Sequence, residues 1–175
     1  MSVLVITGSA RQGSFTRQLG GAFVAAAPDA VLAPKLTEVP FFDQDLEATP
    51  PAAVTALRAQ VQAADVLVIV TPEYNGTISG LLGNTIDWLS RSFGDVPAVL
   101  AGKPVLTVTA SPGGFGGVRA LVALRTVLGN AGAVLLDTTL SVSEVHERLA
   151  AGDADLTEAL AALAAVTALP EPAVA

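Results

Sequence analysis

The sequence predicts a three-layer α/β fold, a five-stranded parallel sheet of strand order 2-1-3-4-5 with helices on both faces. Three observations predict it. Short β-rich runs alternate with segments of helical periodicity along the whole chain, as in a parallel sheet covered on both sides. One run, Val66-Leu67-Val68-Ile69-Val70, is continuously apolar rather than alternating, which a strand buried on both faces requires. A loop rich in Gly and Ser follows the first run directly; right-handed crossovers leave few topologies, and five strands with such a loop fit the known order 2-1-3-4-5, whose switch point lies between strands one and three.

The elements follow in order. The first strand is Val3–Thr7, ended by Gly8. A helix is expected over Phe15–Ala27, with Ser14 as N-cap and Pro28 beyond its end. Ala30–Ala33 forms a short second strand. Lys35–Pro51 reads as a loop, broken by Pro40, Pro50 and Pro51, with a solvated acidic stretch at Asp43, Asp45 and Glu47. Ala53–Ala63 is helical, and Asp65–Thr71 is the buried third strand. Ile78, Leu81, Leu82, Thr85, Ile86 and Leu89 fall at helical spacing, and Asp87 and Arg91 form an i,i+4 surface pair on that helix. Lys103–Thr109 is the fourth strand. Val118, Leu121, Val122 and Leu128 mark a helix ending near Gly129, and Ala133–Leu136 leads a fifth strand. Ser141-Val142-Ser143-Glu144 fits a capping box for a short helix carrying His146. Leu156, Ala159, Leu160 and Leu163 form the stripe of a last helix. Residues 1–169 are thus expected as one domain and 170–175 as a loose tail.

Composition removes most kinds of active site. Among 175 residues there is no cysteine, one histidine (His146), one tryptophan (Trp88) and one tyrosine (Tyr74). A thiol nucleophile, a disulfide framework and a Cys-based zinc site are therefore excluded, as is a metal site with two histidines. A net charge of −7 gives no basic face for nucleic acid. No apolar run approaches the roughly 20 residues of a membrane span. The start lacks the basic region and the long apolar run of a signal peptide, so the cytoplasm is the expected compartment. Chemistry must rest on carboxylates, hydroxyls, backbone donors or a bound cofactor.

Three loops meet at the carboxyl edge of such a sheet: Gly8–Thr16, Pro72–Thr77 and Ala110–Gly117. The first runs from a strand into a helix, whose N-terminus offers free N–H groups and the positive end of a dipole to an anion. Ser9, Ser14 and Thr16 add hydroxyls and Arg11 adds a charge, so this loop reads as a phosphate cradle. It carries neither the Gly-Lys-Ser/Thr ending of a P-loop nor a Gly-x-Gly-x-x-Gly, and its plainer reading is a turn with an N-cap. The second, Pro72-Glu73-Tyr74-Asn75-Gly76, holds the only tyrosine. Tyr and Asn can flank and hydrogen-bond a flat polar heterocycle, and Gly76 lets backbone approach it. The third, Ser111-Pro112-Gly113-Gly114-Phe115-Gly116-Gly117, presents main-chain N–H groups without side-chain obstruction; otherwise it is a connector. His146 is expected on the surface with no catalytic role, and Trp88 in the core or a subunit contact.

Together these motifs resemble the NADPH-dependent FMN reductase family, the flavodoxin-like group that includes quinone, chromate and azo-dye reductases. The likeness rests on Gly8–Phe15; on Pro72–Thr77 with Gly80 and Asn84-Thr85-Ile86-Asp87-Trp88; and on Ser111–Gly114 with Gly117, Arg119 and Leu124-Arg125. It covers residues 3 to 136. The resemblance implies an FMN-dependent oxidoreductase. It would take a hydride from NADPH or NADH and pass electrons to a small acceptor such as a quinone or free flavin, the cofactor carrying the redox chemistry. It implies that Ser9, Arg11, Ser14 and Thr16 hold the FMN phosphate beside Phe15. Pro72, Glu73, Tyr74, Asn75 and Gly76 would line the ring, largely through backbone groups. Ser111, Gly113 and Gly114 would close the other side. It implies no catalytic side chain and no metal, and a homodimer or homotetramer with Trp88 and Leu82 at the interface. Three positions depart from the family pattern: Thr16 for Asn, Ser79 for Pro and Gly83 for Lys. They bear on interface geometry and donor preference. The alternative is a flavodoxin-like FMN electron-transfer module without NAD(P)H turnover; a third reading keeps the fold without the cofactor.

Overall fold

Strands β1 (Val3–Thr7), β2 (Ala30–Leu32), β3 (Val66–Pro72), β4 (Pro104–Ala110) and β5 (Val134–Val142) form one parallel sheet in the expected order β2-β1-β3-β4-β5. The structure, a computed structural model, describes residues 1–168; the loose tail expected at 170–175 lies outside the described residues. β1 and β3 pair in step from Val3↔Val66 to Thr7↔Val70. Because strand side chains alternate, this register sorts them cleanly. Val3, Val5, Val66, Val68 and Val70 face one helical layer, and Leu4, Ile6, Leu67 and Ile69 face the other.

The first layer is α1 (Phe15–Ala26) with α5 (Val145–Ala151) and α6 (Ala154–Ala168), which bury Leu19, Phe23, Leu156, Leu160 and Leu163. The second is α2 (Ala52–Ala63), α3 (Gly80–Leu89) and α4 (Val118–Asn130), which bury Val61, Leu82, Ile86, Trp88, Leu124 and Leu128. Each large apolar side chain so buried stabilises the fold by about 1.5–3 kcal/mol before the entropy of ordering it. α1 lies close on the sheet through Gly20, where a Cβ would stand 2.9 Å from Thr7 Cγ2.

Trp88 is 0 % exposed and Leu82 is also buried, so both are core residues of the single chain rather than interface residues. Trp88 meets Phe42 and Phe93 edge to face and donates its Nε1–H to Pro40 O at 2.9 Å. Asn84, one turn earlier, donates to the same carbonyl at 2.9 Å and accepts from Phe42 N–H at 2.7 Å. The Asn84–Trp88 motif therefore clamps the long loop after β2 onto α3. That loop is also less irregular than expected, with 3₁₀ turns at Leu36–Glu38 and Gln44–Leu46. Nor is its acidic stretch merely solvated: Glu47 Oε1 takes Arg91 Nε at 2.8 Å, so Arg91 reaches across to this loop instead of pairing with Asp87.

β5 starts at Val134, within the segment expected to lead it, and runs on to Val142. Asp137, Thr138 and Thr139 hide the strand in a hydropathy reading because an edge strand need not be apolar. The pairing with β4 jumps between Val105↔Leu135 and Thr107↔Thr139, leaving a bulge. Arg125 Nη1 fills it, donating to Leu136 O at 2.9 Å and Thr107 Oγ1 at 3.3 Å. The capping box at Ser141–Glu144 does not form. Ser141 lies in β5, and Glu144 sits at φ 48° before α5 with no side-chain cap.

Candidate active site

The three loops do converge at the carboxyl edge of the sheet. They enclose a cleft of about 310 Å³, the lower end of the range for small-molecule sites. Nine expected residues line it: Ser9, Arg11, Ser14, Phe15 and Thr16 from the first loop, Pro72, Glu73 and Tyr74 from the second, and Ser111 from the third. Asn75, Gly76, Gly113 and Gly114 do not. Ala110 and Pro112 do line it and were not anticipated; both are small and apolar, and nothing in their residue type marks a ligand.

At the head of α1 the donor arrangement is specific. Ser14 Oγ accepts Arg17 N–H at 3.2 Å, the expected N-cap, and stands 2.9 Å from Thr16 Oγ1. One hydroxyl hydrogen is used between this pair, which leaves one to donate elsewhere. Arg11 N–H turns back to Ser9 Oγ, and Ser14 N–H turns back to Arg11 O. Among the described residues no acceptor takes the N–H groups of Ala10, Gln12, Gly13, Phe15 or Thr16. Arg11 lies with its guanidinium 4.6 Å from the Phe15 ring centroid, which tethers its charge over the cleft wall. His146 is exposed, as expected, and touches the site only through Phe15, at 5.9 Å between ring centroids.

The second loop has a structural logic of its own. Tyr74 and Thr77 exchange both backbone hydrogen bonds, at 3.0 and 3.1 Å, across Asn75 (φ 54°) and Gly76 (φ 74°). Two consecutive positive φ values define a type I′ turn, for which Asn-Gly is the preferred pair. Asn75 and Gly76 therefore make the turn that carries Tyr74. Tyr74, half-exposed, stands at the cleft mouth. Ser79, one of the departures, caps α3 by accepting Leu82 N–H at 3.2 Å and donates to Gly8 O, tying the second loop to the first. Composition could not reveal that tie, since its partner is a backbone atom 71 residues away.

In the third loop Ser111 Oγ accepts Gly113 N–H at 3.1 Å, so its hydroxyl shapes the turn. Gly113 and Gly114 lie on its exposed outer side. Thr109 Oγ1, at the end of β4, donates to Gly116 O at 2.9 Å. Gly117 (φ 81°) passes so close that a Cβ would stand 3.2 Å from Thr109 Cβ.

The residues fit a phosphorylated flat ligand. Unpartnered amides, a free hydroxyl hydrogen and Arg11 gather at the positive end of α1, which suits a phosphate. Beyond them Pro72, Tyr74, Ala110 and Pro112 offer an apolar, partly aromatic slot. Among the described residues no cluster of three His, Cys, Asp or Glu could hold a metal, and no helix is long and apolar enough to cross a membrane.

Known proteins resemble this chain in sequence and fold. The family model for NADPH-dependent FMN reductase matches residues 1–147. A quinone reductase of Escherichia coli (strain K12) is 42 % identical over 133 residues, 73 % of this chain and 69 % of that protein. A 2-hydroxy-1,4-benzoquinone reductase of Burkholderia sp. is 35 % identical over 142 residues, 78 % and 75 % of the two chains. Among solved structures FerB, a flavoenzyme NAD(P)H:(acceptor) oxidoreductase from Paracoccus denitrificans, superposes with a TM-score of 0.77 at 25 % identity, covering 96 % of this chain and 99 % of that one.

Proposed function

The chain belongs to the NADPH-dependent FMN reductase family, and on that premise we propose that the carboxyl-edge cleft is its FMN site and that a small quinone accepts the electrons. The observation that carries the site is the head of α1, with its unpartnered amides beside Arg11, Ser9 and the Ser14–Thr16 pair. These groups would hold the phosphate. Phe15, Pro72, Tyr74, Ser111 and Pro112 would orient the ring and exclude water from one side of it. FMN bound there supplies the hydride and electron chemistry between nicotinamide and acceptor. On this reading no side chain of the chain need act as nucleophile or histidine acid.

Quinone reduction is inferred from the relatives' activities. The experiment is steady-state oxidation of NADH and of NADPH by the FMN-loaded protein, with and without a benzoquinone. Quinone-dependent turnover supports the reading. Turnover with neither nicotinamide, by a protein that still holds FMN, would favour the electron-transfer module.

For the assembly we propose a homodimer or homotetramer in the cytoplasm. Phe41 supports it. Its neighbours Pro40 and Phe42 are pinned to α3, while its own ring is 89 % exposed beside an apolar hollow of about 510 Å³ floored by Gly80 and Leu81. A knob next to a hole on one patch is what a two-fold, self-complementary contact needs. Phe41→Asp should yield monomer in light scattering; an unchanged assembly would place the contact elsewhere.

A further inference from the structure

We infer that Glu73 is a positioning residue: its carboxylate fixes the third loop and the start of α4 against the second loop, and this tie sets the form of the cleft. The inference rests on the proposed FMN site. Three observations carry it. Glu73 Oε2 accepts the backbone N–H of Arg119 at 3.1 Å and of Ala120 at 3.2 Å, the first turn of a helix 46 residues downstream. The Glu73 side chain is only 16 % exposed, and its Oε1 lies 3.6 Å from Arg119 Nη1. The helix has no cap of its own, because its N-cap is Gly117 in a left-handed conformation.

A helix start leaves its first N–H groups without partners, and an Asp, Ser or Thr just before it ordinarily supplies them. Here the glycine loop cannot, since Gly117 sits at φ 81°, which a residue with a side chain rarely adopts, and a Cβ there would stand 3.2 Å from Thr109 Cβ. The chain provides the cap from Glu73, at the end of β3, instead. A carboxylate at a helix N-terminus is favoured by the dipole, and hydrogen bonds to a charged group are about twice as strong as neutral ones.

Two consequences follow. First, Ser79 ties the second loop to Gly8 and Glu73 ties it to α4, so the second loop holds both the phosphate end and the glycine end of the cleft. Second, the N–H groups of Arg119 and Ala120 are already occupied by an internal anion. A phosphate arriving at this edge therefore meets open amides at α1.

The test compares wild type, Glu73→Ala and Glu73→Gln in the full-length protein, with and without FMN. Glu73→Gln keeps an acceptor oxygen of nearly the same shape. Amide hydrogen exchange is read at Arg119 and Ala120, and FMN and riboflavin affinities by flavin fluorescence. In Glu73→Ala the two amides should exchange about tenfold faster, and FMN and riboflavin should weaken by the same factor of about ten, because the phosphate cradle is untouched. Glu73→Gln should recover most of both losses. Unchanged exchange in Glu73→Ala would overturn the inference. So would a loss of affinity confined to FMN, which would put Glu73 at the phosphate. Equal affinity loss in both variants with wild-type exchange would make Glu73 a direct ligand contact and would also overturn it. If wild type bound no flavin, the proposed site would fail while the exchange result still judged Glu73.

Discussion

At the scale of single residues, Arg11 and His146 both neighbour the Phe15 ring but should behave oppositely. Arg11 is exposed, stacked on the Phe15 ring and adjacent to the open amides of α1. Arg11→Ala should weaken FMN by the loss of a charge-assisted bond, about 1.5–3 kcal/mol or roughly 10- to 100-fold, and leave riboflavin unchanged. Equal weakening of both flavins, measured by titration of the apoprotein, would remove Arg11 from the phosphate. His146 reaches the cleft only through that ring, so His146→Ala should keep kcat within about twofold. A rate loss of two orders of magnitude would show that a protein acid takes part. The sequence made these residues legible where their own chemistry is the signal: Ser9, Arg11 and Ser14 follow a strand and open a helix. Asn75 and Gly76, expected beside the ring through their backbone, also form a type I′ turn, which residue type alone did not announce. The sequence credited Glu73 to the cleft without revealing its α4 partner, because backbone N–H groups carry no sequence signature.

At the scale of elements, α1 is set on the sheet by Gly20. Gly20→Ala brings a methyl within 2.9 Å of Thr7 Cγ2, 3.2 Å of Val5 Cγ1 and 3.3 Å of Leu32 Cδ1. Helix propensity favours the alanine by about 1 kcal/mol, but overpacking of this kind costs about 1–3 kcal/mol and shifts α1, on which the phosphate cradle stands. Urea unfolding should show net destabilisation together with weaker FMN binding; a stabilised variant would mean that the helix moves freely away from the sheet. The other elements were legible in proportion to their burial. β1, β3 and α1 have ends within a residue of expectation, since continuous apolar runs and a Ser N-cap mark them. For β5 only the leading segment was legible, because an edge strand keeps Asp137 and threonines. Its bulge depends on Arg125, whose role is visible only once Leu136 O is in place.

At the scale of the whole molecule, two peripheral carboxylates link stability to pH. Hydrogen bonds from Ser2 hold Asp65 below the usual carboxylate range, and the hydrogen bond from Arg148 does the same for Asp153. A folded-state pKa below the unfolded one contributes stability above the unfolded value, about 3.9, and that contribution is lost as pH falls through the folded value. Asp65→Asn with Asp153→Asn should lower Tm at neutral pH, and the gap to wild type should close in acid; a constant gap would assign the effect to packing. The strand order, both helical layers and the meeting of three loops were readable from alternation, crossover handedness and the fit of a loop after strand one to a known doubly-wound order. The clamp of Asn84 and Trp88 on Pro40 was not, because burial of a lone Trp and its bond to a carbonyl are decided by tertiary packing. The central claim is that this fold holds FMN at the head of α1 and reduces it with a nicotinamide. Anaerobic mixing of the FMN-loaded protein with NADH or NADPH tests that most directly, followed by the flavin absorbance and then by addition of a benzoquinone. The account predicts bleaching by at least one nicotinamide and return of colour with the quinone. A bound flavin that neither nicotinamide bleaches would contradict it.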